Sequence, residues 1–279
     1  MIDLHSHTNK SDGSLAPAEL IALARGKGLR TLAITDHDTL EGYDEASPHA
    51  RQAGLELVCG VELSTRFHGR SIHVLGYFFE SPPGEEFRSH LGCLQTARRE
   101  RNTRLAERLR SLGLAVEREE AERLGRSQTG RPHFARLLVE KGYVKDISEA
   151  FDRYLDEKAP GYVERRDPSL DNVIGWIRQA GGLSSWAHPA RMIRGSGLAA
   201  EALFREMAER GMGAIEAFHT DHSPLEQGEY HALASKIGLR ITGGSDFHGE
   251  AKPQVELGQV VLPAALWAEI RARTPQTLL

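Results

Sequence analysis

The chain has little cysteine, few aromatics, little net charge and no long apolar run. Two cysteines in 279 residues, Cys59 and Cys93, exclude a disulfide framework and a thiolate zinc ribbon. They suit a reducing compartment, so a cytoplasmic location is expected. No apolar stretch approaches the roughly 18 residues a membrane span needs, and no membrane partner is expected. A cleaved leader is not expected either, because processing would remove His5 and His7. The net charge of −4 gives no global attraction to nucleic acid. An aromatic content of 6% leaves few platforms for stacking bases, and no duplex-reading module is recognisable, so duplex DNA is excluded as a partner. The rest, 40% hydrophobic and 27% charged, is ordinary globular composition. A chain of this length hides roughly three quarters of its unfolded surface.

Strand and helix signals alternate in the first part. "MIDLH" and "TLAIT" (31–35) read as buried strands, with a helix opened by Pro17 and closed by Gly28 between them. Residues 41–53 read as a helix interrupted at Pro48. "LELVCGVE" (55–62) and "SIHVLGYFF" (71–79) follow as strands around a turn at Gly69. From about Pro82 to Pro160 the strand signal gives way to helical patterns, and Asp146 with Glu149 forms a capping-box pattern. Alternation then returns. Asp167-Pro168 reads as a helix start, and "GLSSWAHP" (182–189), "GAIEAF" (213–218) and "LRITGGSDFHG" (239–249) read as strands. Repeated β-α units at this length imply an α/β barrel. The expected division is a barrel from residues 1–82 and 163–279 and a helical insertion over 83–162.

The coordinating residues fall in one place on that plan. His5 and His7 end the first strand, and Asp12 lies just beyond in "SDGS". His37 ends the second strand, Glu62 the third, and His188, Asp246 and His248 close later ones, while His73 lies inside its strand. Active sites of barrels and open α/β sheets form at the carboxyl ends of strands. Taken singly, each has an ordinary reading: a hydrogen-bonded histidine, a turn aspartate at Asp12, an N-cap at Asp38. Nine such residues at one end of successive strands are poorly explained as independent accidents. Clustered carboxylates and imidazoles need a partner charge, and divalent cations supply it. A hydrolytic site takes three or four protein ligands per metal, so nine suit two or three ions, with a carboxylate such as Glu62 bridging. Imidazole and carboxylate without thiolate fit manganese, iron or zinc.

"HSHT", "TDHDT", "GVE" followed by "HVLGY", "AHP" and "GSDFH" together resemble the signatures of the PHP (polymerase and histidinol phosphatase) family. The resemblance implies a distorted (β/α)7 barrel with a trinuclear site, usually of manganese, iron or zinc. It also implies that His5, His7, Asp12, His37, Glu62, His73, His188, Asp246 and His248 are the ligands and act through metal-activated water. By the family pattern one metal takes His5, His7, Glu62 and Asp246. A second takes Glu62, His73 and His188, and the third Asp12, His37 and His248. "GRPHFARLLVEKG", "FDRYL" and "APGYV" in the insertion are similar to the branch of 3′,5′-nucleotide bisphosphate phosphatases and 5′→3′ exoribonucleases.

The expected activity is removal of the 3′-phosphate from a nucleoside 3′,5′-bisphosphate, or trimming of short 5′-phosphorylated RNA. Its alternatives are a phosphomonoesterase for another metabolite such as histidinol phosphate, a C–N hydrolase, and a non-catalytic polymerase-accessory module. A second phosphate needs cations, and Arg131 and His133 in "GRPHF" are the first candidates, since guanidinium grips phosphate bidentately. Arg191, after "AHPA", is comparable. His219 and His222 in "FHTDHS" are candidates to face substrate, and Lys252 is a weaker one. The arginine-rich stretch 98–110 invites a nucleic-acid reading. The favoured reading is a solvated helix face over Leu105, Leu109 and Leu112.

Overall fold

The structure, a computed structural model, describes residues 1–125, 129–164 and 167–272; the end of the expected barrel segment, 273–279, lies outside them. Two compact units make up the chain, one of Met1–Arg88 with the residues from Pro168 onward, the other Ser89–Asp167. These bounds lie five or six residues beyond the composition change, because helix α3 (Glu85–Ser111) runs unbroken across the first of them.

The first unit is a seven-stranded sheet in the order β1 (Ile2–Asp3), β2 (Thr31–Ile34), β3 (Glu56–Phe67), β4 (Arg70–Phe78), β5 (Leu183–Trp186), β6 (Ala214–His219) and β7 (Arg240–Gly244). The Leu4 amide donates to the Gly243 carbonyl at 3.1 Å, and Ser6 bridges Phe247, so the last strand returns to the first and the sheet nearly closes. All pairings are parallel except those of β4 with β3 and β5. The fold is therefore a distorted (β/α)7 barrel in which a hairpin replaces one β-α unit.

That hairpin corrects two expected strand ends. β3 continues five residues past Glu62 to Phe67, and β4 begins at Arg70, with His68 and Gly69 (φ 47° and 73°) as the turn. Two left-handed residues match the twist of a two-residue hairpin loop. Because β4 runs opposite to its neighbours, His73 reaches the ligand-bearing side of the sheet from inside a strand.

Helices α1 (Pro17–Gly26), α2 (Glu41–Ala53), α7 (Leu170–Gln179), α8 (Ala190–Ile193), α9 (Ala200–Glu209), α10 (Pro224–Ile237) and α11 (Ala264–Ala272) complete this unit. α2 passes through Pro48 without the expected interruption; one proline removes a single ladder donor. Ser169, not Asp167, caps α7, its hydroxyl accepting from the Asn172 amide at 3.2 Å. No helix among the described residues is long and apolar enough to cross a membrane.

The second unit is helical: most of α3, then α4 (Arg118–Gly125), α5 (Arg131–Glu140) and α6 (Ile147–Ala150), the last running on into a wide turn Phe151–Leu155. Asp146 caps α6 as expected, accepting from the Glu149 amide at 2.8 Å. Leu105, Leu109, Phe134, Leu138 and Leu155 form the centre of its own core. Leu105 and Leu109 are fully buried, whereas Leu112, expected beneath the same face, is 36% exposed.

Candidate metal centre

Buried carboxylates hold the ligand-bearing loops in place. Asp3 is fully buried and accepts from the amides of His5, Ser245 and Gly258 and from the Ser245 hydroxyl. Asp36 accepts from the Thr8 amide (2.7 Å), the Thr8 hydroxyl (2.6 Å) and the Ser11 hydroxyl (2.5 Å). Each fixes the chain beside the paired histidines. Gly244 is needed there too, since a Cβ would lie 2.4 Å from the His5 amide nitrogen. Asp38, His188 and Asp246, each just after a strand, take left-handed φ values of 53°, 33° and 56°. Such backbone costs on the order of 1–3 kcal/mol each and gathers at functional sites. Asp38 is therefore no helix cap; α2 follows Leu40 instead.

The nine expected ligands come together around two buried carboxylates. Glu62 Oε2 lies 3.2 Å from His5 Nε2, 3.1 Å from His7 Nε2 and 3.5 Å from His37 Nδ1. Its Oε1 lies 2.7 Å from His73 Nδ1 and 3.0 Å from His188 Nε2. Asp246 Oδ1 lies 3.3 Å from the Nε2 atoms of both His5 and His7. Asp12 is approached by His7 and His37 at 3.5 Å and by His248 at 3.3 Å. Sets able to hold an ion include His5–His7–Glu62–Asp246, His7–Asp12–His37–His248 and His37–Glu62–His73.

The electrostatics ask for positive charge. Burial opposes protonation of His5, yet Glu216, Asp246 and Glu62 hold it well above the usual imidazole range. His7 is likewise carried against its burial to about 10 by Asp246 and Glu62. Burial pushes His37 down to about 4, and burial with the nearby Arg191 charge pushes His188 to about 3. Glu62, Asp12 and Asp246 are held well below the usual carboxylate range, the surrounding imidazoles outweighing their burial. His7 Nε2, buried and facing two carboxylate oxygens, has no hydrogen-bond partner among the described residues. His7 Nε2 and its neighbouring carboxylate oxygens are imidazole and carboxylate donors of the kind that ligate a common divalent cation. The His/Asp/Glu cluster is therefore able to hold metal.

A layer that sequence reading missed supports it. Glu216 is fully buried, sits 2.8 Å from His5 Nδ1 and accepts from the His188 amide at 2.7 Å. By accepting a hydrogen bond from His5 Nδ1 it turns Nε2 toward Glu62 and Asp246, as a carboxylate behind a ligating histidine does. A lone glutamate inside the apolar "GAIEAF" was the available signal. His219, also fully buried, brings Nε2 to 3.4 Å from Asp246 Oδ2 and forms a further candidate set with His5 and Glu216.

The candidate substrate residues lie in different surroundings. Arg191 donates to Asp221 at 2.6 Å and to Asp246 Oδ2 at 2.8 Å, and Lys252 reaches the same oxygen at 2.6 Å. Both cations thus adjoin the cluster. His222 is buried, its Nδ1 2.9 Å from the Ala217 carbonyl and its ring edge-on to Tyr230. It packs behind His219 and presents no surface to a ligand. Arg131 donates to the Leu155 carbonyl at 3.1 Å and lies over the rings of Phe151 and Tyr162. His133 Nδ1 accepts from the Gly130 amide at 3.1 Å. Both groups are engaged within the helical unit.

The model of the PHP domain matches residues 3–164, more than half of the chain. A 3′,5′-nucleoside bisphosphate phosphatase of Chromobacterium violaceum is 34% identical over 278 residues, spanning 98% of this chain and 97% of the relative. The 5′-3′ exoribonuclease Rnm of Escherichia coli K12 is 36% identical over 292 residues, spanning 99% and 97%. A solved structure from Bifidobacterium adolescentis, classed as a metal-dependent phosphoesterase, superposes with a TM-score of 0.83 at 31% identity, covering 99% of this chain and 97% of its own. The chain belongs to the PHP domain family of phosphoesterases.

Proposed function

We propose that the protein removes the 3′-phosphate of nucleoside 3′,5′-bisphosphates, giving the 5′-monophosphate and phosphate, and also trims short 5′-phosphorylated RNA. The observation that carries the reading is the buried Nε2 of His7, which faces Glu62 and Asp246 with no hydrogen-bond partner among the described residues, at the centre of nine converging ligands. The near full-length likeness to relatives named for these two activities supports the substrate class.

In this reading His5, His7, Glu62 and Asp246 hold one divalent ion, Glu62, His73 and His188 a second, and Asp12, His37 and His248 a third, with manganese the expected metal. Bound there, such ions activate water near neutral pH and neutralise phosphate oxygens. Glu216 keeps His5 oriented, and Arg191, already within 2.8 Å of Asp246, is placed to meet a phosphate oxygen at the same side of the barrel. No serine or cysteine nucleophile is required.

Phosphate release with manganese tests the reading across adenosine 3′,5′-bisphosphate, its single monophosphates, histidinol phosphate and a short 5′-phosphorylated RNA. Preference for the bisphosphate and the RNA is expected. Preferred turnover of histidinol phosphate would replace the substrate assignment while leaving the phosphoesterase in place.

A further inference from the structure

His219 ends β6 beside the cluster, and its fully buried ring has no place among the nine ligands. What it can do follows from how its two ring nitrogens are engaged. A histidine that ligates through one nitrogen usually gives the proton of the other to a carboxylate, a carbonyl or water. His5 follows that pattern, with Nδ1 2.8 Å from Glu216 and Nε2 turned to Glu62 and Asp246. His248 does too, with Nδ1 2.8 Å from the Asp246 carbonyl and Nε2 3.3 Å from Asp12.

His219 is engaged the opposite way. Its Nδ1 accepts from the Asp221 amide at 2.9 Å. A peptide N–H can only donate, so Nδ1 carries no proton and the ring's one proton sits on Nε2. A protonated ring nitrogen has no in-plane lone pair for a metal, so the grouping of His5, Glu216 and His219 lacks a third donor. That Nε2 has no hydrogen-bond partner among the described residues and faces Asp246 Oδ2 at 3.4 Å. A buried donor left unmade is costly, and completing this bond takes a shift of less than about half an ångström. The two segments are tied at that point. The Thr220 hydroxyl donates to the Ser245 carbonyl at 3.0 Å, and His219 pairs with Gly244 across β6 and β7.

Asp246 is divided between two kinds of neighbour. Its Oδ1 faces His5 and His7, while its Oδ2 accepts from Arg191 and Lys252. The Arg191 and Lys252 side chains are 38% and 27% exposed, and that of His219 is 0% exposed. The two cations are therefore able to turn to an arriving phosphate, whereas His219 touches no substrate and stays behind Oδ2.

We propose that His219 is a positioning residue and not a ligand: its Nε2–H holds Asp246 Oδ2, so that Asp246 offers Oδ1 alone to the metal. The proposal rests on the cluster being a metal site and not on the substrate assigned to it.

The test is calorimetric titration of manganese into the EDTA-treated full-length chain, as wild type, His219→Leu and His219→Gln. Glutamine keeps an N–H donor at about the reach of the imidazole Nε2, and its amide nitrogen does not ligate metal. His219→Leu should bind as many ions as the wild type, with the affinity lowered by about tenfold or more. His219→Gln should return the affinity to that of the wild type at the same number of ions. One ion fewer in both variants would make His219 a ligand and overturn the proposal. A leucine variant that binds as tightly as the wild type would also overturn it. So would a glutamine variant as weak as the leucine one, since packing and not the N–H would then set the affinity. A wild-type chain that takes up no manganese would remove the metal reading and this proposal together. Phosphate release is measured separately and decides the hydrolytic reading alone.

Discussion

The barrel and the helical unit are built on opposite principles. In the barrel, the centre of interest is polar and buried: Glu62, Asp246, His5 and His7 are all 2% exposed or less. Such a cluster is expensive without a countercharge, and its loops are held by further buried carboxylates and by left-handed backbone at three strand ends. In the helical unit the core is apolar, centred on Leu105, Phe134 and Leu138, with Arg101 and Asn102 as buried polar neighbours. The difference teaches where stability and chemistry are separable. In the helical unit a core residue can be weakened without touching a ligand, whereas in the barrel the ligands are themselves the interior.

Loss of a ligand should therefore have the largest effect. Glu62→Gln removes one charge from a carboxylate that five histidines approach, and it should lower phosphate release by roughly a thousandfold or more, with bound metal lost in elemental analysis. Retained metal and activity would show that Glu62 is not a shared ligand. Glu216→Gln acts one layer out. It should cost about 10–100-fold in metal affinity or activity, detected as a raised metal requirement that excess manganese partly restores.

In the helical unit the expected effects are on stability. Phe134→Ala empties a fully buried site and should cost about 3–5 kcal/mol in denaturant unfolding, with metal content unchanged. Metal lost along with stability would mean that the two units are not separable in this way.

The smallest effect is at a surface cap. The Arg194 guanidinium, aided by the Ser223 amide and hydroxyl, lowers the Glu226 carboxyl to about 2 at the start of α10. A carboxylate depressed on folding stabilises the protein above its ordinary range, near 4.5, and that contribution is lost as pH falls toward 2. Glu226→Gln should therefore cost on the order of 1 kcal/mol at pH 7 and progressively less as the pH is lowered from 4.5 toward 2. An equal difference at pH 7 and pH 3, in paired urea titrations, would contradict the assignment.

Much of this was legible in the sequence. Ligands at strand ends announce themselves, because histidine and aspartate directly after "TLAIT" or "RITGGS" have little other reason to recur. The hairpin hid His73 from that rule, since strand direction is not written in local pattern. Glu216 was hidden by its own role: one glutamate in an apolar strand reads as an exception until the fold sets it 2.8 Å from His5. A helix-start arginine such as Arg131 reads as a phosphate grip, while its partners in the fold, the Leu155 carbonyl and the rings of Phe151 and Tyr162, come from chain twenty or more residues away and leave no local pattern.

Phosphate release from adenosine 3′,5′-bisphosphate by the EDTA-treated chain, before and after manganese is added, tests the central claim most directly. A metal-dependent phosphoesterase should be silent before the addition and active after it, with Glu62→Gln silent in both. Release by the stripped chain at the same rate as by the manganese-loaded one would contradict it.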